Sequence, residues 1–189
     1  MVSESTEGGI VVSLFLMVAA ITFAVYASVT VYVKNTRADS TETPVQTHVR
    51  MLSASANISN CIIHLLLIMY MKANEGSDEP YWAHEREIEA DGIGGPVFLA
   101  IFNLAAGMCS LKKYSYKFPL GWNSFVIVAG TMIPLVWQRF LEEGLATWPY
   151  LITFIWFAIF AAELSAFATS LVYYLLTSEK SKQEYEPIE

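Results

Sequence analysis

The chain has 189 residues, of which 54% are hydrophobic and 15% are charged, and its formal net charge is −7. Soluble domains usually carry about 25% charged residues, so this composition indicates a membrane protein. The negative charge argues against nucleic acid as a partner, because the phosphate backbone attracts basic surfaces. Cys61 and Cys109 both lie in apolar segments, which argues against a disulfide framework as the stabilising device.

The first apolar segment, 10–33, is predicted to be a membrane-spanning helix, because a bilayer core needs about 20 apolar residues as helix. No basic residue precedes it, so it lacks the basic region of a secretory signal and is expected to be retained. Ala20, Ala24 and Ser28 recur at a spacing that allows another helix to approach closely. Thr22 lies in a second, mildly polar stripe.

The second predicted span, 51–71, follows a polar loop at 34–50 and has one polar face. Ser53, Asn57, Asn60 and His64 recur at helical spacing, and the opposite face is Ile, Leu and Met. Lipid cannot satisfy the hydrogen bonds of an amide, so this stripe is predicted to face protein or water.

An acidic loop, 72–91, precedes the third predicted span, 94–111. The loop oxygens are weak candidates for binding a hard cation, because their spacing matches no calcium loop and a charge run is usually a solvated face. Asn103 lies on one face of the third span with Gly107 and Ser110. The loop candidates are Glu85, Glu87, Glu89 and Asp91.

The fourth and fifth predicted spans, 120–140 and 148–176, are joined by a short connection and should be antiparallel neighbours. Pro134 is expected to kink the fourth span, which also carries Thr131. The fifth span has one ionisable residue near its middle, Glu163. A carboxylate near the centre of a bilayer is costly, so it marks a functional site unless it is paired or neutral.

Basic residues accumulate on the cytoplasmic side of membrane proteins. They gather in alternate connections of this chain, which predicts five spans with the N-terminus outside and the C-terminus in the cytoplasm. The cytoplasmic group is Lys34, Arg37, Arg50, Lys112, Lys113, Lys117, Lys180 and Lys182, and the opposite group is Lys72, Arg86 and Arg139.

The tail at 178–189 then lies in the cytoplasm, where Tyr185 and Ile188 match a tyrosine-based sorting signal that is common by chance. Aromatic residues near the span ends are expected to form belts at the membrane interface. They are Tyr81, Trp82, Trp122, Trp137, Trp148, Tyr150, Tyr173 and Tyr174.

Placed at common depth, the polar residues of the spans form a candidate midplane layer. One interpretation is a proton or cation site in which Glu163 titrates, His64 is a relay or counter-charge, and asparagine amides are hydrogen-bond partners. A second is that these groups only crosslink helices, and a third is that Glu163 pairs with a basic residue of a partner subunit. The layer comprises Thr22, Asn57, Asn60, His64, Asn103, Thr131 and Glu163.

No hydrolase, metalloprotease, phosphate-loop or dinucleotide signature appears, so the chain is predicted to be non-enzymatic. No cofactor is expected. A haem normally requires two axial ligands, and His64 is the single histidine within a predicted span. A retinal Schiff base requires a lysine, which the predicted spans lack.

The sequence therefore predicts an all-α bundle of five transmembrane helices. Its first predicted function is as a non-enzymatic subunit or scaffold of a larger membrane assembly, and the alternative is a component of a proton- or cation-conducting channel or transporter. The expected partners are the lipid bilayer and other membrane subunits or further copies of this chain. We expect a plasma membrane rather than an organelle.

Overall fold

The computed structural model describes the backbone of residues 4–36, 42–73, 94–140 and 150–183, and most side chains over 12–36, 42–69, 95–129 and 159–178. Every regular element in these ranges is a helix, which confirms the all-α prediction. The helices are α1 (Glu4–Asn35), α2 (Pro44–Ala73), α3 (Gly94–Leu111), α4 (Lys117–Phe140) and α5 (Tyr150–Gln183).

Within the described residues, three stretches of helix are long and apolar enough to cross a bilayer: Phe15–Asn35, Pro44–Met69 and Ile159–Ser178. A shorter apolar stretch, Gly95–Leu111, accounts for α3. The described part of the chain is therefore all-helical, and three of its helices could span a membrane. α4 continues through Pro134 without interruption.

The second helix is the centre of the bundle. α2 packs most extensively against α3, then against α5 and α1, and α4 packs against α5 and α3. The ends of α3 and α5 lie beside the start of α2, since Arg50 Nη1 donates to the carbonyl of Leu111 and Gln46 Nε2 to that of Leu176. Neighbouring helices joined by these contacts therefore run in opposite directions.

The described part of the bundle has a polar interior and an apolar exterior. Large apolar side chains such as Phe15, Phe23 and Val128 point outward, whereas serine, asparagine and charged side chains are buried between helices. This arrangement suits a bundle surrounded by lipid, because hydrocarbon cannot satisfy polar groups. Val29, Val33 and Ala54 form the apolar contact that holds α1 against α2.

The start of α2 lies within the segment predicted to be a loop, so residues 44–50 are helical. Thr43 and Gln46 form a reciprocal cap, in which the Thr43 amide donates to Gln46 Oε1 at 3.0 Å and the Gln46 amide donates to Thr43 Oγ1 at 3.2 Å. Pro44 occupies the first helical position, where its missing N–H costs nothing. The sequence Thr-Pro-Val-Gln is the signal for this helix start.

The backbones of α2 and α3 approach closely at Gly107. A Cβ at this position would lie 2.7 Å from Ile58 Cγ1 and 3.2 Å from the Ala54 carbonyl oxygen. The space at this position therefore accommodates glycine but no residue with a side chain. The close contact brings the polar faces of α2 and α3 together.

The end of α3 is a reverse turn centred on Lys113, whose φ is 58°. The Tyr114 amide donates to the Cys109 carbonyl at 3.1 Å, which is the long hydrogen bond of a Schellman cap. Glycine usually occupies this left-handed position. Here the lysine side chain reaches Glu42 Oε2, at 3.2 Å from Nζ.

Candidate functional site

Glu163 points into the bundle and is only 4% exposed. Asn103 Nδ2 on α3 donates a hydrogen bond to Glu163 Oε1 at 2.9 Å. Because the carboxylate is enclosed by side chains of its own chain, it faces the interior rather than a surface where another subunit would meet it.

The orientation of the Asn103 amide is determined by Trp122 on α4. The indole Nε1–H donates to Asn103 Oδ1 at 2.7 Å. An indole nitrogen can only donate, so the atom facing it is the amide oxygen and the atom facing Glu163 is the amide nitrogen. The Trp122 ring stacks on Phe102 with centroids 4.7 Å apart, which fixes the position of the donor.

His64 on α2 lies near the same carboxylate oxygen, Oε1. Its Nδ1 is 2.7 Å from the Asn60 carbonyl oxygen and 3.9 Å from Glu163 Oε1. The carbonyl can only accept, so Nδ1 carries a hydrogen in both the neutral and the charged ring. Proton uptake by His64 therefore takes place at Nε2.

Several buried polar atoms near this carboxylate have no hydrogen-bond partner among the described residues. Glu163 Oε2 is one, and Asn60 Nδ2 is another, although the Asn60 side chain faces the carboxylate. An unpaired buried polar atom in a protein interior is costly and calls for an explanation. The same property is shared by Thr30 Oγ1, Asn57 Oδ1, Ser59 Oγ and Asn123 Oδ1.

A second polar cluster joins four helices. Ser53 Oγ lies 3.2 Å from Ser110 Oγ and 2.9 Å from Ser170 Oγ. Asn123 Nδ2 on α4 donates to Ser170 Oγ at 2.9 Å. Asn57 Nδ2 donates to the Ser53 carbonyl at 2.8 Å, within α2.

A third, charged cluster lies at the end of the bundle where α2 begins. Arg50 Nε is 3.0 Å from Glu42 Oε2, and the Arg50 side chain is 5% exposed. Glu42 also pairs with Lys113, so among the described residues two cationic groups share one carboxylate.

These three clusters lie along one buried face of α2, which we term the polar column. It extends about 27 Å from Gln46 to His64 at 1.5 Å per residue. The column consists of Gln46, Arg50, Ser53, Asn57, Asn60 and His64, all of which are buried.

The structure brings four of the predicted layer residues together: His64, Asn60, Asn103 and Glu163. Asn57 is buried in the column and bonds within α2. Thr22 is exposed on α1, where its hydroxyl bonds the Val18 carbonyl at 2.9 Å, so the structure does not bring it to Glu163.

The remaining candidates lie outside the described residues or side chains. They are the Thr131 side chain, the loop acids Glu85, Glu87, Glu89 and Asp91, and the tail residues Tyr185 and Ile188.

Sequence reasoning missed Trp122, which was expected in an interface belt but is 7% exposed and contacts the site through Asn103. Tyr173 was assigned to the same belt and is also buried. A single tryptophan near a helix end gives no sign of which way it faces. The sequence does indicate the position of Arg50 on the polar face of α2, because Arg50 continues the helical spacing of Ser53 and Asn57.

Within the described ranges, no three His, Cys, Asp or Glu side chains are grouped as metal ligands. No protein family, curated protein or solved structure matches the chain. The structure itself defines a helical bundle in its described part, with three helices that could span a membrane and a polar column beside a buried carboxylate.

Proposed function

We propose that this chain binds and passes protons or cations through its own helical bundle, with Glu163 as the group that accepts the charge. The observation that carries the proposal is the setting of this carboxylate. It is buried, its described hydrogen-bond donor is the neutral amide of Asn103, and its second oxygen has no described partner. The described contacts hold no permanent counter-charge against it.

The polar column supports a pathway rather than an isolated site. Serine hydroxyls, asparagine amides and a histidine extend from Glu163 towards the charged cluster at Arg50. Hydroxyl groups can both donate and accept, and unpaired buried polar atoms are the usual partners of internal water.

We also propose that all five helices cross the membrane, with the N-terminus outside. The opposed directions of neighbouring helices support this arrangement. The charged cluster of Arg50 and Lys113 then faces the cytoplasm, as expected from the distribution of basic residues.

A second candidate function is that of a non-enzymatic subunit in a larger assembly. The observation that favours it is the small-residue row Ala20, Ala24 and Ser28, which is exposed on α1. Such rows allow close helix contact in lipid. The two functions are compatible if the chain works as a homo-oligomer or beside another subunit.

The first experiment is to measure the mass and composition of the assembly purified in mild detergent. A homo-oligomer favours the pathway, whereas stoichiometric recovery of another protein favours the subunit. The pathway is then tested in proteoliposomes by ion flux through Glu163→Gln, with Thr22→Val as the control, because Thr22 lies outside the column.

We expect Glu163→Gln to abolish flux while assembly persists, and Thr22→Val to conduct as the wild type. Wild-type flux in an assembled Glu163→Gln protein would refute the pathway. If Glu163→Gln does not fold, Glu163→Asp keeps the charge and should retain a reduced flux.

A further inference from the structure

We infer that the species exchanged at Glu163 is the proton and not a metal cation, an inference that rests on the proposed function. The proton binds a lone pair of Oε2, forming an O–H bond that converts the carboxylate to a neutral carboxylic acid. On release that bond breaks and its electron pair stays on Oε2. The reasons lie in the groups around the carboxylate and in the charge at the end of the polar column.

The first reason is that Asn103 offers hydrogens to the site. Trp122 Nε1 donates to Asn103 Oδ1 at 2.7 Å, so the amide oxygen that a cation would need is already directed away from Glu163. The amide nitrogen that remains, 2.9 Å from Glu163 Oε1, carries partial positive charge. Hard cations are bound by about six or more oxygens, as with Ca²⁺. Asn103 therefore offers a hydrogen to the carboxylate and no oxygen ligand to a metal cation.

The second reason is the position of His64. Its Nδ1–H donates to the Asn60 carbonyl and lies 3.9 Å from Glu163 Oε1. The backbone oxygen of Asn60 is therefore also occupied by a donor and is directed to the ring. The ring nitrogen near Glu163 is thus Nδ1, which carries a hydrogen and offers no lone pair to a metal cation beside Oε1, while a proton can be taken up at Nε2.

The third reason is the fixed positive charge at the end of the column. Arg50 is buried and shares Glu42 with Lys113, so this cluster of three residues carries one more positive charge than negative. A metal cation moving along the column must pass this charge. A proton can instead be transferred from one hydroxyl group or water molecule to the next, so that no ion has to travel the length of the column.

The experiment is flux through the full chain reconstituted in liposomes, with separate dyes for protons, sodium and potassium. We expect proton flux that is unchanged when sodium is replaced by potassium or by a large organic cation, and no dye response to sodium or potassium. A sodium or potassium flux that Glu163→Gln removes would overturn the inference and leave the proposed function standing. Absence of all three fluxes would overturn both.

Two variants at one position sharpen the test. Asn103→Asp replaces the donor by carboxylate oxygens. We expect it to lower the selectivity for protons over sodium by about tenfold, which corresponds to the free energy of one hydrogen bond. Asn103→Leu also removes the donor but adds no oxygen, so it should gain no sodium flux. Equal sodium flux in the two variants would overturn the inference.

Trp122→Phe provides an independent variant if Asn103→Asp does not fold. It keeps an aromatic ring against Phe102 and removes only the donor that orients Asn103. The amide is then free to turn its oxygen to Glu163, and we expect proton selectivity to fall in the same direction. Unchanged selectivity in Trp122→Phe would show that the orientation of Asn103 does not determine the ion.

Discussion

Arg50 and Glu42 form an ion pair of 3.0 Å at the start of α2, with side chains that are only 5% and 14% exposed. The same guanidinium donates to the Leu111 carbonyl at the end of α3. One buried cation therefore holds the segment before α2 and the last turn of α3 at the same end of the bundle.

Removing the carboxylate of this pair should be strongly destabilising. In Glu42→Gln, Arg50 is left buried without its counter-charge, and breaking a buried pair in this way costs about 3–5 kcal/mol of the free energy of unfolding. Lys113→Met is the matched control, because its side chain is 39% exposed and an exposed pair contributes about 0–1 kcal/mol. Denaturant titration in detergent, followed by circular dichroism, measures both. Equal losses in the two variants would contradict the assignment of Arg50 as the buried partner.

Replacement by alanine should have opposite effects at two glycines, Gly107 in the contact between α2 and α3 and Gly121 on α4. Gly107→Ala places a Cβ 2.7 Å from Ile58 Cγ1 and against the Ala54 backbone, so we expect a loss of about 1–3 kcal/mol. Gly121→Ala meets nothing within 4 Å and should be neutral or stabilising by about 0.5–1 kcal/mol, because alanine favours helix. Thermal unfolding of both variants in the same detergent tests the difference. A stable Gly107→Ala protein would show that the helices are not this close.

The serine cluster should contribute modestly to stability. Ser53→Ala removes the hydroxyl that contacts Ser110 and Ser170, and hydrogen bonds between membrane helices contribute about 0.6–2 kcal/mol each. Ser28→Ala is the control, because Ser28 is exposed and its hydroxyl bonds its own helix at the Ala24 carbonyl. Unfolding measurements should separate the two variants. Under the proposed function, Ser53→Ala also slows the flux of protons or cations, and Ser28→Ala does not.

The Lys112 amine, just beyond α3, has a raised pKa because its Nζ donates a hydrogen bond to the Tyr32 hydroxyl. The amine also lies 4.9 Å from the centroid of the Tyr32 ring. A raised lysine pKa means that the contact stabilises the fold while the amine is charged, and that this contribution is lost as the pH rises through the raised pKa.

Tyr32→Phe should therefore lower the pKa of Lys112 towards its ordinary value. The check is the pH dependence of amine labelling at Lys112, read by mass spectrometry, with Lys117 in the same samples as the internal control. An unchanged Lys112 profile in Tyr32→Phe would show that the phenol does not hold the amine.

Much of the candidate site could be predicted from residue type and spacing. Asn60 and His64 share a face because the helical period places them there, and Asn103 and Glu163 stand out because a membrane span rarely contains such groups. Of the seven residues predicted to form a layer, the structure brings these four together. Thr22 fits the same depth but faces outward, since depth along a helix does not define its rotation.

The partners of the site could not be predicted in the same way. Trp122 reaches Asn103 across α3 and α4, and Ser170 reaches Ser53 across α2 and α5. Such contacts depend on the rotation and packing of each helix, which local sequence does not specify. Arg50 lies in α2 and not in the predicted loop, because the cap formed by Thr43 and Gln46 begins the helix at Pro44.

By itself the sequence determined the all-helical class, the apolar stretches that suit a membrane, and the polar stripe of α2. These follow from composition and from a period of about 3.6 residues, both of which are local properties. Only the tertiary structure decided that the stripe faces inward over its length, that Trp122 orients the amide beside Glu163, and that Arg50 lies at its end. The physical reason is that hydrogen bonds between helices depend on how whole helices are rotated against one another, and the close contact at Gly107 is one of the points where that rotation is set.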